Sequence, residues 1–156
     1  MRRSLSAAFH RVTGLLSTRA AAAKAVALPG KFQEYKAKAE QEDAEAQFNR
    51  GFCYDAGRGV AKDYAEAVKW YRKAAEQGHT DAQFNLGVCY AHGQGVATDK
   101  VEAYAWFSMA AKADSDAAKS RDLLRKELTP QQFTDAQKRM KELRWQIAAK
   151  LKSSTP

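Results

Sequence analysis

Long apolar runs are missing from this 156-residue chain: none approaches the roughly 18–20 residues that a bilayer-spanning helix needs. Cysteine is scarce, and two residues cannot build a disulfide framework. Histidine is nearly as scarce, with three residues, and no CxxC or HxxxH spacing occurs, so no zinc motif is present. The nucleophile signatures SxxK and GxSxG are absent, as is a P-loop. No catalytic, cofactor-binding or metal residues are therefore expected, and strand signals are lacking. One further absence is local. Residues 1–30 hold Arg2, Arg3, Arg11, Arg19 and Lys24 but no Asp or Glu.

What is present is a globular composition, 45% hydrophobic and 28% charged. The formal net charge of +8 suggests a nucleic-acid or anionic-membrane partner until its distribution is read. Residues 31–118 carry 11 basic and 14 acidic side chains, whereas residues 119–156 carry ten basic and four acidic. Positive charge is thus concentrated at the two ends.

The acid-free start, rich in Arg, Ser and Ala, has the composition of a mitochondrial presequence. As a helix it would set Leu5, Phe9, Val12 and Leu16 on one face and Arg3, His10 and Ser17 on the other. A cationic amphipathic helix of this kind suits an import receptor groove and a negative-inside potential. The apolar core of a secretory signal is lacking. Residues 1–30 are expected to be a mitochondrial targeting segment and spacer, with the mature chain carrying +3 from residue 31.

An internal repeat dominates the rest. AQFNRGFCYDAGRGVAKD from Ala46 returns as AQFNLGVCYAHGQGVATD from Ala82, an offset of 36 residues. Residues 44–79 and 80–115 align without gaps and share 17 identities in 36. Residues 31–43 match the second half of a preceding unit. Residues 116–145 read as a degenerate terminal unit, with Ala118 in the place of Ala82, and residues 146–156 as a basic tail. Each unit divides into two helices. The first stops at Gly57 or Gly93, and the second starts at Asp63 or Asp99 with Glu66 or Glu102 completing a capping box. Thr80–Gln83 and Thr129–Gln132 read as further boxes. Gly51 and Gly87 allow close helix approach.

AEAQFNRGFCYDAGRGVAKDYAEAVKWYRKAAEQG resembles the Sel-1-like repeat, an alpha-alpha solenoid related to tetratricopeptide repeats. The resemblance covers residues 44–115 well. It implies an all-α fold, a short right-handed superhelix of about seven helices made of two full repeats and degenerate caps. It also implies a non-enzymatic adaptor or scaffold for other proteins. Cysteine-rich members pair two cysteines within each repeat, whereas here each full repeat holds one, Cys53 or Cys89. Equivalent positions in successive repeats stand roughly 8–10 Å apart, too far for a disulfide, so two buried free thiols are expected.

In this class the first helix of each hairpin lines the concave surface. Glu45, Asn49, Phe52 and Ala56 form one stripe there, and Asp81, Asn85, Val88 and His92 form its counterpart. The two asparagines suit clamping of an extended peptide backbone, or else they bond locally and fix repeat geometry. A second surface is the basic C-terminal helix, with Lys138, Arg139, Lys141, Arg144, Lys150 and Lys152. Trp145, Ile147 and Leu151 run past the expected cap, toward a partner. The expectation is a mitochondrial protein-binding adaptor, a subunit or assembly factor of a larger complex. The alternative is an RNA-associated mitochondrial factor using the basic C-terminal helix on phosphates.

Overall fold

Side-chain caps divide the chain into helices. The computed structural model describes residues 30–153, so the expected targeting segment lies outside the described residues apart from Gly30. Seven helices and no strand occur among the described residues: α1 (Lys31–Glu40), α2 (Ala44–Ala56), α3 (Tyr64–Ala75), α4 (Thr80–His92), α5 (Lys100–Ala110), α6 (Ser115–Arg125) and α7 (Pro130–Ser153). The fold is the expected all-α helical repeat. Asp43 starts α2 by accepting from the Ala46 amide at 2.7 Å. Asp63 accepts from the Ala65 and Glu66 amides, and Asp99 from those of Val101 and Glu102. Each such cap is worth about 1 kcal/mol. Thr129 and Gln132 form the reciprocal box that opens α7, at 3.2 and 3.0 Å.

Three expected boxes are resolved differently. The cap of α4 is His79, whose Nδ1 accepts from the Ala82 amide at 3.3 Å. Gln83 instead donates to the Ala75 carbonyl at 3.2 Å, and Gln47 does the same to Ala39 at the same distance. These carbonyls lie at helix ends, where the Glu42 and Gly78 amides also reach them, and each glutamine ties one unit to the end of the preceding one. At Asp63 and Asp99 the amide donates to the Tyr54 or Tyr90 carbonyl at 2.9 Å. Glu102 is thereby left to accept from Trp106 Nε1 at 3.1 Å and to pair with Arg139.

α2–α3 and α4–α5 are the two full hairpins, with α1 against α2 and α3 against α4. Gly57 and Gly93 end the first helices in the left-handed region, at φ 66° and 68°. At Gly51 a Cβ would lie 2.7 Å from the Tyr71 ring, and at Gly87 2.8 Å from Phe107. The expected close approach is therefore made by backbone against aromatic ring. Tyr71, Phe84, Leu86, Trp106 and Phe107 fill the centre with at most 2% exposure.

The third unit departs from the 36-residue step. The first-helix caps are Asp43, His79 and Asp114, steps of 36 and 35. Ala117, fully buried, thus takes the place of Ala82, which corrects the assignment to Ala118. Its second helix, α7, runs unbroken through residue 145 to Ser153, so the expected basic tail continues the same helix. α7 packs on α5 through Ala136, Leu143 and Ile147.

Candidate functional site

The stripe expected to line a groove divides by depth. Phe52 and Val88 are buried members of the hydrophobic core. Glu45 and Ala56 are exposed, while Asp81, Asn85 and His92 are half-buried. Asn49 is buried and donates to Glu45 Oε1 at 3.1 Å. The second Glu45 oxygen stands 2.9 Å from His79 Nε2. Because His79 Nδ1 accepts the α4 amide, Nε2 carries the ring proton and donates to Glu45. The His79 ring also stacks on Phe48, with centroids 4.7 Å apart. One carboxylate thus gathers a side chain of α2 and the residue that caps α4.

Asn85 takes a different partner. It donates to the Tyr71 hydroxyl, which in turn donates to Asp55 Oδ2 at 3.0 Å. Burial pushes the Asp55 carboxyl above its ordinary value, against the lowering effect of the Tyr71 bond. Burial first, and then the Asp55 charge, hold the Tyr71 hydroxyl well above its own. Two asparagines at the same repeat position therefore differ in space: Asn49 bonds within its helix and Asn85 bonds across the repeat junction. Of the two, only the Asn85 bond spans repeats, and an amide has four hydrogen-bonding positions, more than either bond uses.

The basic C-terminal residues also separate into two sets. Arg139 pairs with Glu102 on α5, and Lys150 with Glu76 at the end of α3, at 3.1 Å. These two clamp α7 onto both hairpins. Lys138, Lys141, Arg144 and Lys152 lie on the outer side of the helix and are exposed. Ile147, expected to face a partner, is buried in the core, whereas Trp145 is 74% exposed. Between α3, α5 and α7 lies a cavity of about 220 Å³, walled by Trp106, Leu143 and Ile147 and edged by Arg72, Arg139 and Lys150.

Sequence reading missed the paired glutamines Gln47 and Gln83 as ties between units. Their signal was available, because both belong to the repeated AQFN string. It also missed the bond from Arg72 to the Tyr90 hydroxyl, which joins one hairpin to the next and has no counterpart in the repeat pattern. Cys53 and Cys89 are buried free thiols, as expected. Burial pushes the Cys89 thiol up to about 12. Among the described residues no group of three or more His, Cys, Asp or Glu is arranged to hold a metal ion. Among the same residues no helix is long and apolar enough to cross a membrane.

The Sel1 repeat family model matches residues 44–79 and 80–115. The chain is similar to the crystal structure of c5321, a protective antigen present in uropathogenic Escherichia coli strains and displaying an SLR fold. Identity is 35% and the TM-score 0.73, over 78% of this chain and 26% of that one. It is also similar to a Sel1 repeat protein from Oxalobacter formigenes, at 42% identity and TM-score 0.58, over 60% of this chain and 39% of that one. The chain thus spans well under half the length of these relatives. No curated protein matches it. Sel1 repeat proteins generally mediate protein–protein interaction as scaffolds.

Proposed function

Starting from a chain built on two Sel1 repeats, we propose a non-enzymatic protein-binding adaptor of the mitochondrion, a subunit or assembly factor of a larger complex. The observation that carries the binding role is the paired first-helix face. Glu45 with Asn49 and Asp81 with Asn85 stand at matching positions of α2 and α4, with the buried Phe52 and Val88 next along each stripe. A face held by core side chains costs little entropy when an extended segment binds, because it is already ordered. Amides at a repeat spacing suit main-chain donors and acceptors of such a segment.

Affinity capture from isolated mitochondria, run in parallel with the wild-type chain and the Asn49→Ala/Asn85→Ala double variant, tests this reading. The expected result is a partner retained by the wild type and lost by the double variant, with both proteins folded by circular dichroism. Undiminished capture by the double variant would refute the groove. The mitochondrial address rests on the acid-free composition of residues 1–30. Fusing those residues to a fluorescent protein should send it to mitochondria, and a cytosolic signal would remove that part of the proposal.

A further inference from the structure

The outward face of α7 is a single stripe of unusual composition. Ala136, Leu143 and Ile147 mark the buried side of the helix. At 100° per residue, the opposite side presents Lys138, Lys141, Trp145, Ala148 and Lys152, at steps of three, four, three and four. The stripe extends over about 21 Å at 1.5 Å per residue. Trp145 at its centre is 74% exposed, whereas Trp70 and Trp106 are 8% and 1% exposed. No carboxylate lies on the stripe. The nearby Glu142 turns aside toward Arg139 Nη1 at 3.6 Å. Among the described residues no salt bridge neutralises Lys138, Lys141 or Lys152, in contrast to Lys150 with Glu76.

We propose that this stripe docks an acidic amphipathic helix of a partner protein, with its Asp or Glu residues against the three lysines and an apolar notch over the Trp145 indole. Several observations select that occupant. The steps of three and four keep the five side chains on one line that a second helix can follow. Ala148, with Ala149 beside it, is small enough to let a second helix approach next to the large indole. A lone exposed tryptophan ringed by polar groups is the usual form of an interface anchor. A second copy of the chain would set lysine against lysine. A bilayer surface needs a broad apolar face, and the stripe offers one large apolar side chain. Single-stranded RNA needs several stacking rings, and the stripe has one. The surface is separate from the first-helix groove, so the two succeed or fail independently.

The test uses the full chain and two designed 21-residue helical peptides, alike in their apolar positions and bearing either Glu or Gln opposite the lysines. Peptide anisotropy and tryptophan emission are followed at moderate salt. The Glu peptide is expected to bind at least ten-fold more tightly than the Gln peptide and to shift tryptophan emission to the blue. Trp145→Ala, and the triple change Lys138→Glu, Lys141→Glu and Lys152→Glu, should each weaken binding ten-fold or more. Asn49→Ala/Asn85→Ala should leave it unchanged. None of the α7 positions changed is buried, and thermal unfolding serves as the control that each variant folds. A Lys-bearing peptide should bind the triple variant. Equal binding of the Glu and Gln peptides, or no binding, would overturn the proposal. So would tighter binding of a 20-nucleotide poly-U RNA, or of vesicles of 7:3 phosphatidylcholine and phosphatidylserine.

Discussion

Gly87 has no side chain because Phe107 occupies the space where one would be. A Cβ would stand 2.8 Å from two atoms of that ring, and the ring is fully buried and cannot swing away. Gly87→Ala is expected to lower unfolding free energy, because overpacking costs about 1–3 kcal/mol while the helix preference of alanine returns at most about 1. Urea unfolding measures the change, and unaltered stability would contradict the packing. Cys89 is governed by the same enclosure. Its thiol is raised to about 12 from 9.0 by burial. Below pH 9 the thiol is neutral in folded and unfolded chains alike, so stability there is unaffected by it. Between pH 9 and 12 only the unfolded chain releases the proton. Stability is therefore expected to fall with rising pH, by up to about 1.4 kcal/mol per unit. Native protein near neutral pH should resist alkylation at Cys89 by iodoacetamide, and protein in urea should be labelled rapidly. Equal labelling rates would show the thiol to be accessible.

Helices in this molecule are joined to their neighbours through carbonyls at helix ends, each shared between a turn amide and a glutamine of the next unit. Gln83 reaches back to the Ala75 carbonyl, and Gln47 reaches back to Ala39. A further bond links the two ties, from Gln77 Nε2 to Gln47 Oε1 at 2.8 Å. Gln83→Ala should destabilise by about 0.5–1.5 kcal/mol, the net contribution of one hydrogen bond, because the Gly78 amide still serves the Ala75 carbonyl at 3.0 Å, and the denaturant slope should be unchanged. An ionised carboxylate has no hydrogen to donate to a carbonyl, so Gln83→Glu is expected to be at least as harmful as the alanine change. A glutamate variant as stable as the parent would show that the bond contributes nothing.

At the scale of the whole molecule, α7 acts as a strap. It packs along α5 and reaches the end of α3, where Lys150 meets Glu76. The exposed ion pair itself is worth about 0–1 kcal/mol. The larger effect comes from Ile147, 7% exposed, which covers one side of the cavity beside Trp106. Ending the chain after Trp145 removes both contacts and should cost about 2–5 kcal/mol, comparable to deleting a buried isoleucine side chain. The emission of Trp106 should then shift to the red as water enters. A truncated chain as stable as the parent would mean that the last eight described residues, 146–153, do not belong to the core.

The repeat was legible because its causes are local. Glycine at a helix end, aspartate at a helix start and a recurring 36-residue pattern specify hairpins through backbone sterics and short-range hydrogen bonds. Even so, local reading assigned Gln83 to a capping box, because a side chain that bonds across to another helix leaves the same string of letters. Asn49 and Asn85 occupy one repeat position in the sequence, yet only packing decided that one bonds to Glu45 and the other to Tyr71. The charge at the C-terminal end was equally plain as a count. Tertiary structure paired Arg139 with Glu102 and Lys150 with Glu76, and left Lys138, Lys141 and Lys152 outward with Trp145. The sequence by itself determined the helices and their stacking, since those follow from neighbours along the chain. Which side chains face solvent was decided only by the tertiary structure, because burial depends on what the rest of the fold brings alongside.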